Sequence, residues 1–457
     1  MLKKNMIISD FTIDENSEIK LALELINKNM SGTIFIKNHK NIITGALTDG
    51  DVRRHIISGG SVDDPVFKVA NKDFVYLNEN DNRELLIKHL DRKAKFIPII
   101  SNEGFLINII SRDNLPVINE GIVRIRSRAP VRISFGGGGS DLTNYFYKGA
   151  GAVISATINI YSHICLAIRD DQSIYIKSDD IGVESEALNI DDFLANDSNL
   201  PLIQAVIRVI RPKFGFELTI SSDFPVGSGL GGSATVAVAI IGAFNHLRTD
   251  KWSKYEIAEL AFEAERFVMG ISGGWQDQYA SVFGGLNFME FEKNQNLVLP
   301  LNIDREVYYE LSENLILCNT GVGHDSGLIH SDQKLRVLEN DVNILVQENV
   351  NLTYQMRDYL LRGNLDKFGA GLNQGWELKR QFSNKISNKK IDAIYDGALQ
   401  NGALGGKLLG AGGGGFFLFY AKSNQKNKLS QFLKKNSLDI FRFSFESEGL
   451  ITWAIRE

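Results

Sequence analysis

The stretch PVGSGLGGSATVAVA, Pro225 to Ala239, constrains this chain more than any other. Its glycines let backbone N–H groups approach a ligand closely, and the apolar run TVAVAIIGAF behind them reads as a buried helix. A helix N-terminus with unpaired N–H groups favours an anion. Gly227, Gly229 and Gly232 also satisfy G-x-G-x-x-G, the pattern of a dinucleotide-binding loop. That pattern needs a strand running straight into the first glycine and an acidic partner about 20 residues on. Here the strand expected at Phe216–Ile220 is separated from the loop by Ser221, Ser222, Asp223 and Pro225, and Asp250 sits in a polar turn. A Walker loop is excluded because no lysine follows the glycines. A phosphate loop and a tight turn that only packs a helix on a sheet both remain open on this stretch alone.

A chain of 457 residues predicts two or three domains, and an apolar share of 44% suffices for sizeable cores. The net charge of −5 leaves no basic footprint for nucleic acid. MLKKNMIISDFTIDENSEIK has no apolar core of a signal peptide, and the longest apolar run, Val236 to Phe244, is too short for a bilayer, so no membrane partner is expected. The 2 cysteines, Cys165 and Cys318, form no C-x-x-C, and the 7 histidines show no metal-ligand spacing. A cytoplasmic enzyme without disulfides or zinc fits these features.

The first 118 or so residues carry a weak internal repeat. Copy one reads helix (Ser17 to Lys28), strand (Gly32 to Lys37), strand (Asn41 to Leu47), then TDGDVRRHII. Copy two reads helix (Asn82 to Arg92), strand (Lys95 to Ile100), strand (Phe105 to Ile110), then SRDNLPVI. Each second strand is followed by a hydroxyl residue and, three residues later, an acid or amide: Thr48 with Asp51, and Ser111 with Asn114. This order resembles a tandem pair of cystathionine-β-synthase (CBS) domains. The resemblance implies an adenine nucleotide contacted by Thr48, Asp51, Ser111 and Asn114, or a homodimer formed through the pair. Thr48 and Ser111 equally suit helix capping. Asn119 to Gly121 reads as a hinge.

Beyond Ile122 three glycine clusters punctuate alternating strands and helices: Gly136–Gly139, Gly227–Gly232 and Gly412–Gly415. RAPVRISFGGGGSDL (Arg128 to Leu142), PVGSGLGGSA and GGKLLGAGGGGFFLFY (Gly405 to Tyr420) resemble, in order, the three motifs of the GHMP kinase superfamily. The resemblance implies an α+β fold: a kinase N-terminal subdomain over 122–300 and a ferredoxin-like C-terminal subdomain over 301–457, behind the CBS pair at 1–118. It implies ATP and Mg²⁺, with Gly227, Ser228, Gly229, Leu230, Gly231, Gly232 and Ser233 around the phosphates. The family loop ordinarily ends in two serines; here Gly232 replaces the first.

By the same resemblance Asp277 in GGWQDQYA orients or deprotonates the acceptor hydroxyl, and Arg132 neutralises charge beside it. Glu265, with Glu263 as rival, joins Ser233 as a Mg²⁺ ligand. Gly138, Gly139, Ser140, Asp141, Gly274, Lys407 and Gly413 line the acceptor. Asp277 and Asp141 also suit helix caps, and Trp275 suits either a sugar face or a core. The fuller strings are similar to the heptose 7-phosphate kinases of that superfamily. These phosphorylate an anomeric hydroxyl to a 1,7-bisphosphate that feeds nucleotide-activated heptose for surface polysaccharide. A sugar phosphate would need cations, and Lys379, Arg380 and Lys407 are available, unless they are solvated surface charges. In TGVGHDSGLIH, His324 stands where a basic or hydroxyl residue is expected, which leaves other acceptors open: free heptose, galactose or fucose. A non-catalytic sugar or nucleotide sensor is the reading from another class.

Overall fold

The computed structural model describes residues 8–91, 95–111, 122–195, 199–225, 227–321, 326–336 and 339–456. Asn114, the 119–121 hinge and His324 lie outside these residues. Two compact units divide the chain, Met1–Glu120 and Gly121–Glu457.

In the first unit the repeat is real at the level of topology. Thr12–Asp14 pairs parallel with Thr33–Lys37, which pairs antiparallel with Ile43–Thr48. Leu77–Asn78, Phe96–Ile100 and Leu106–Ser111 repeat that order and those directions. The registers also correspond: Thr33 faces Thr48, and Phe96 faces Ser111. Strand alternation divides the core. Ile34 and Ile36 pack with Ile13, Ile19 and Ile26 under helix Ile19–Asn29, while Phe35 points the other way and joins Ile43, Ile100 and Ile109. Leu77, Leu86, Leu90, Ile97 and Ile110 form the core of the second copy.

In the second unit, strand Gly151–Ile168 is the spine of an eight-stranded sheet. It is buried at every position through Ile158, so both faces are covered there; beyond that point burial alternates. Ile122–Gly136 runs along one edge. Phe216–Ser222 and Leu286–Phe291 share the other edge, pairing with its C-terminal and N-terminal halves. Phe216–Ser222 pairs parallel with Ile174–Ser178, but the next strand after the glycine loop and its helix, Leu286–Phe291, is antiparallel to both its neighbours, so the loop does not open the parallel βαβ unit a dinucleotide loop requires. The helix expected after the glycine loop spans Gly232–Leu247 and is buried almost all round.

A second sheet orders its strands Gly405–Leu408, Phe416–Tyr420, Leu315–Asn319 and Asp439–Phe441, all antiparallel. In chain order this is strand, helices, strand, strand, helix, strand with spatial order 2-3-1-4, the ferredoxin-like arrangement. The stretch 301–457 is not wholly in that layer. Its last strand, Ile451–Arg456, returns to pair with Ile122–Arg128 and closes the edge of the first sheet.

Candidate active site

Arg132 lies mid-strand in Ile122–Gly136 and is only 3% exposed. Its Nε and Nη2 each lie 2.7 Å from Asp277 Oδ1, and its Nη1 donates to Gly229 O at 2.8 Å. Its backbone N–H donates to Leu230 O. One side chain thus fixes both the carboxylate at the start of helix Gln276–Phe283 and the glycine loop. Gly227, Gly229 and Gly231 all have positive φ, at every second position. Such alternation curls successive N–H groups into an anion-binding concavity at the helix N-terminus.

That loop opens on a cavity of about 650 Å³. Gly227, Ser228, Gly229, Gly231, Gly232 and Ser233 line it, with Ile181, Leu202, Ile203 and, beside Gly232, Phe224 as its apolar wall. Leu230 does not line it; its side chain is in the core. The missing first serine has a steric cause. A Cβ at Gly232 would stand 2.5 Å from the Phe224 ring.

Ser233 Oγ donates to Glu265 Oε1 at 2.6 Å, and the Gln278 amide donates to Oε2. Burial pushes the Glu265 carboxyl above its ordinary range. Helix Lys254–Glu263 continues as a π-turn over Ala264–Val268, and this turns Glu265 inward while Glu263 stays exposed. Arg266 Nη1 lies 3.8 Å from Glu265 Oε1 and lines the cavity.

A far smaller cavity of about 20 Å³, room for one water as the protein stands, adjoins; it is lined by Ser134, Gly138, Gly139, Asp141, Gly274, Gln276, Lys379 and Lys407 among others. Arg132, Asp277 and Gly410 line both. Asp141 accepts from Gly139 N, Gln276 N and Gln276 Nε2 at 3.1–3.2 Å. Burial, then the nearby Asp277 charge, pushes its carboxyl up. Gly274 is required here: a Cβ would fall 1.8 Å from Asp141 Oδ2.

Several expectations need correction. Ser140 is fully buried, and its hydroxyl ties the loop to strand Gly151–Ile168 through Gly137 O, Ala152 O and Ala152 N. Gly413 lines neither cavity and its N–H donates to Ile386 O; Gly410, ahead of the cluster in the same motif, is the lining glycine. Trp275 stacks on Phe262 with centroids 3.6 Å apart and belongs to the core. Lys379 and Lys407 are buried, not solvated, whereas Arg380 is a surface residue paired with Glu377 and Asp392. In the first unit Thr48 and Asp51 form a reciprocal capping box on helix Asp49–Ile57, so both side chains serve the helix; Ser111 is buried at the equivalent place.

Sequence reasoning missed Ser134, Gln276, Gln333 and Gly410 as lining residues. Gln276 is adjacent to Asp277 in the quoted motif, and its Oε1 is buried without a hydrogen-bond partner. Gln333 carries no local signal.

Comparison with known proteins agrees with this geometry. The descriptions "GHMP kinases N terminal domain" and "GHMP kinases C terminal" match residues 201–285 and 356–437. A D-glycero-alpha-D-manno-heptose 7-phosphate kinase from Campylobacter jejuni is 35% identical over 337 residues, 72% of this chain and 99% of the relative. A crystal structure of a D-glycero-D-manno-heptose 1-phosphate kinase from Bacteriodes thetaiotaomicron is 29% identical, with a TM-score of 0.62 over 73% of this chain and all of that one. A Campylobacter jejuni crystal structure, 34% identical, aligns with a TM-score of 0.60 over 73% of this chain and 99% of that one. An ATP-using enzyme that phosphorylates a sugar accounts for the motifs, the paired cavities and these relatives together: the chain belongs to the GHMP kinase family.

Proposed function

We propose that this kinase transfers the γ-phosphoryl of ATP to the anomeric hydroxyl of D-glycero-D-manno-heptose 7-phosphate, giving the 1,7-bisphosphate for nucleotide-activated heptose and surface polysaccharide. The observation that carries the reading is Asp277, held by Arg132 where the nucleotide and acceptor cavities meet. Arg132 Nε donates to Oδ1, with Nη2 at ion-pair distance from the same oxygen, which leaves Oδ2 to receive the acceptor proton. The guanidinium stays in place to offset charge on the transferring phosphoryl group. Asp141, fixed by three N–H donors, takes sugar hydroxyls, and Gly138, Gly139 and Gly274 let the ring come close. The glycine loop and Ser233 cradle the phosphates, and the apolar wall takes the base. Phosphoryl transfer asks for little more than such positioning and charge neutralisation.

Mg²⁺ fits this donor set. It keeps few protein ligands and takes the rest from phosphates and water. Ser233, which lines the larger cavity, would hold it, with Glu265 Oε1 2.6 Å behind that hydroxyl, buried and lining neither cavity, reaching it once the Ser233–Glu265 hydrogen bond opens. It would neutralise phosphate charge and align the γ-phosphoryl.

The first unit we read as a CBS pair that dimerises or regulates the kinase; its repeated sheet topology and register support this. Adenine nucleotide at that pair would change the kinase rate, and a rate unaffected by added AMP at fixed ATP would count against it. Two free cysteines, Cys165 and Cys318, suit a reducing cytoplasm, and no helix among the described residues is long and apolar enough to cross a membrane. ADP release with ATP and Mg²⁺ over heptose 7-phosphate, free heptose, mannose, galactose and fucose tests the acceptor. Turnover confined to heptose 7-phosphate supports the reading; turnover on a free sugar alone replaces its acceptor, and silence on all five favours a sensor.

A further inference from the structure

The acceptor cavity is lined by three cations, Arg132, Lys379 and Lys407, and two carboxylates, Asp141 and Asp277. Arg132 and Asp277 are paired with each other. Asp141 accepts three hydrogen bonds from uncharged N–H donors and offsets one further cation. The lining therefore keeps one net positive charge, carried by two lysines that are each only 5% exposed. Lys379 Nζ donates to Gly410 O at 2.5 Å, and Lys407 Nζ lies 3.5 Å from Ser134 Oγ. Among the described residues neither lysine meets a carboxylate at ion-pair distance.

Burying two such groups together is expensive unless an anion joins them. Burial, then Arg132, lowers the Lys379 ammonium to about 8; burial, then Lys379 and Arg132, lowers Lys407 well below its ordinary value. The long-range placement is deliberate in structural terms. Lys379 ends helix Leu365–Lys379, Lys407 sits in strand Gly405–Leu408, and Ser134 lies two residues beyond Arg132 on the same strand face. Two strand residues span about 7 Å, the scale of a sugar ring.

The anion these lysines suit is not the nucleotide. Arg132, Asp277 and Gly410 line both cavities, but Lys379, Lys407 and Ser134 line the acceptor cavity alone. We propose that Ser134, Lys379 and Lys407 form a phosphomonoester subsite, which binds a phosphate carried by the acceptor sugar away from its reacting hydroxyl. The ammonium groups supply charge and the hydroxyl a further donor. This rests on the reading that the acceptor is a sugar phosphate.

The test is steady-state kinetics with ATP and Mg²⁺ on D-glycero-D-manno-heptose 7-phosphate and on the same heptose without its phosphate. Wild type, Lys379→Met, Lys407→Met and Lys407→Arg are compared. In each methionine variant the preference for the phosphorylated acceptor, as a ratio of kcat/KM values, should fall about 100-fold, chiefly through KM. Lys407→Arg should recover part of it. Inorganic phosphate should compete with the acceptor in wild type, and about 10-fold more weakly in Lys407→Met. Equal losses on both acceptors would overturn the subsite and assign the lysines to chemistry common to both. Wild type that phosphorylates only the free heptose would instead overturn the sugar-phosphate reading beneath it.

Discussion

Arg132 and Asp277, 145 positions apart in sequence, meet on one carboxylate oxygen: Nε donates to Oδ1 at 2.7 Å and Nη2 lies at the same distance from it. The arginine also holds Gly229 O of the glycine loop, so the acceptor side and the nucleotide side of the site share one anchor. Removing either partner should therefore cost turnover before it costs binding. Asp277→Asn and Arg132→Met are each expected to lower kcat by about 10²–10⁴. The double variant should be little worse than either single one, because the two residues act as a unit. Independent, additive losses would show that they do not.

Gly274→Ala isolates the acceptor half. Its Cβ would land 1.8 Å from Asp141 Oδ2, so the carboxylate must leave its three donors. The expected result is an acceptor KM raised at least about 10-fold with nucleotide affinity retained. Equilibrium binding of ATP beside acceptor kinetics separates the two. Equal loss of ATP affinity would place the defect in the fold.

Lys379 gives the site a pH dependence. Its ammonium, faced by Arg132, Lys407, Asp141 and Asp277, loses its proton at about 8 instead of 10.5. The cation is present below about 8, so the KM for a phosphorylated acceptor should climb as pH rises through that value, while a free sugar should not follow. Stability runs the opposite way. Below about 8 both folded and unfolded chains carry this proton, and the folded state bears the full burial penalty. Between about 8 and 10.5 the unfolded chain binds more protons, so stability rises with pH. Lys379→Met should thus stabilise the ligand-free protein at pH 7 by on the order of 3 kcal/mol, with the gain fading toward pH 10.5. Thermal unfolding across that range checks the sign; a destabilised variant at pH 7 would refute it.

The phosphate loop makes a packing prediction. Gly232→Ser restores the serine that resemblance leads one to expect, yet its Cβ would meet Phe224 at 2.5 Å. The single variant should lower nucleotide affinity, and adding Phe224→Ala should return much of it. Tight ATP binding by Gly232→Ser alone would show that Phe224 yields freely.

The legible parts of this site were local in sequence. Glycine at alternate positions before an apolar run announces a loop feeding a buried helix, and Asp277 beside GGW and QYA needs only a turn to be presented. Burial and pairing between distant segments were not legible. Choosing Glu265 over Glu263 rests on resemblance alone, because the π-turn over Ala264–Val268 that turns Glu265 inward leaves no periodic signal in the sequence. Lys379 and Arg380 are adjacent and chemically alike, yet one ends inside the acceptor cavity and the other on the surface. Ser140 and Gly413 sit in the right motifs, but their polar groups are already used to hold neighbouring backbone. The 301–457 stretch reads as continuous, but the strand that closes the first sheet comes from its end.

The central claim is that Asp277 directs phosphoryl transfer from ATP to an anomeric hydroxyl. Phosphorus NMR of the product from ATP, Mg²⁺ and D-glycero-D-manno-heptose 7-phosphate tests it most directly, with wild type and Asp277→Asn side by side. The account predicts a new phosphorus resonance coupled to the anomeric proton, formed with ADP in equal amount, and at least about 100-fold slower in the variant. ADP without an anomeric phosphate, or equal rates in the two proteins, would contradict it.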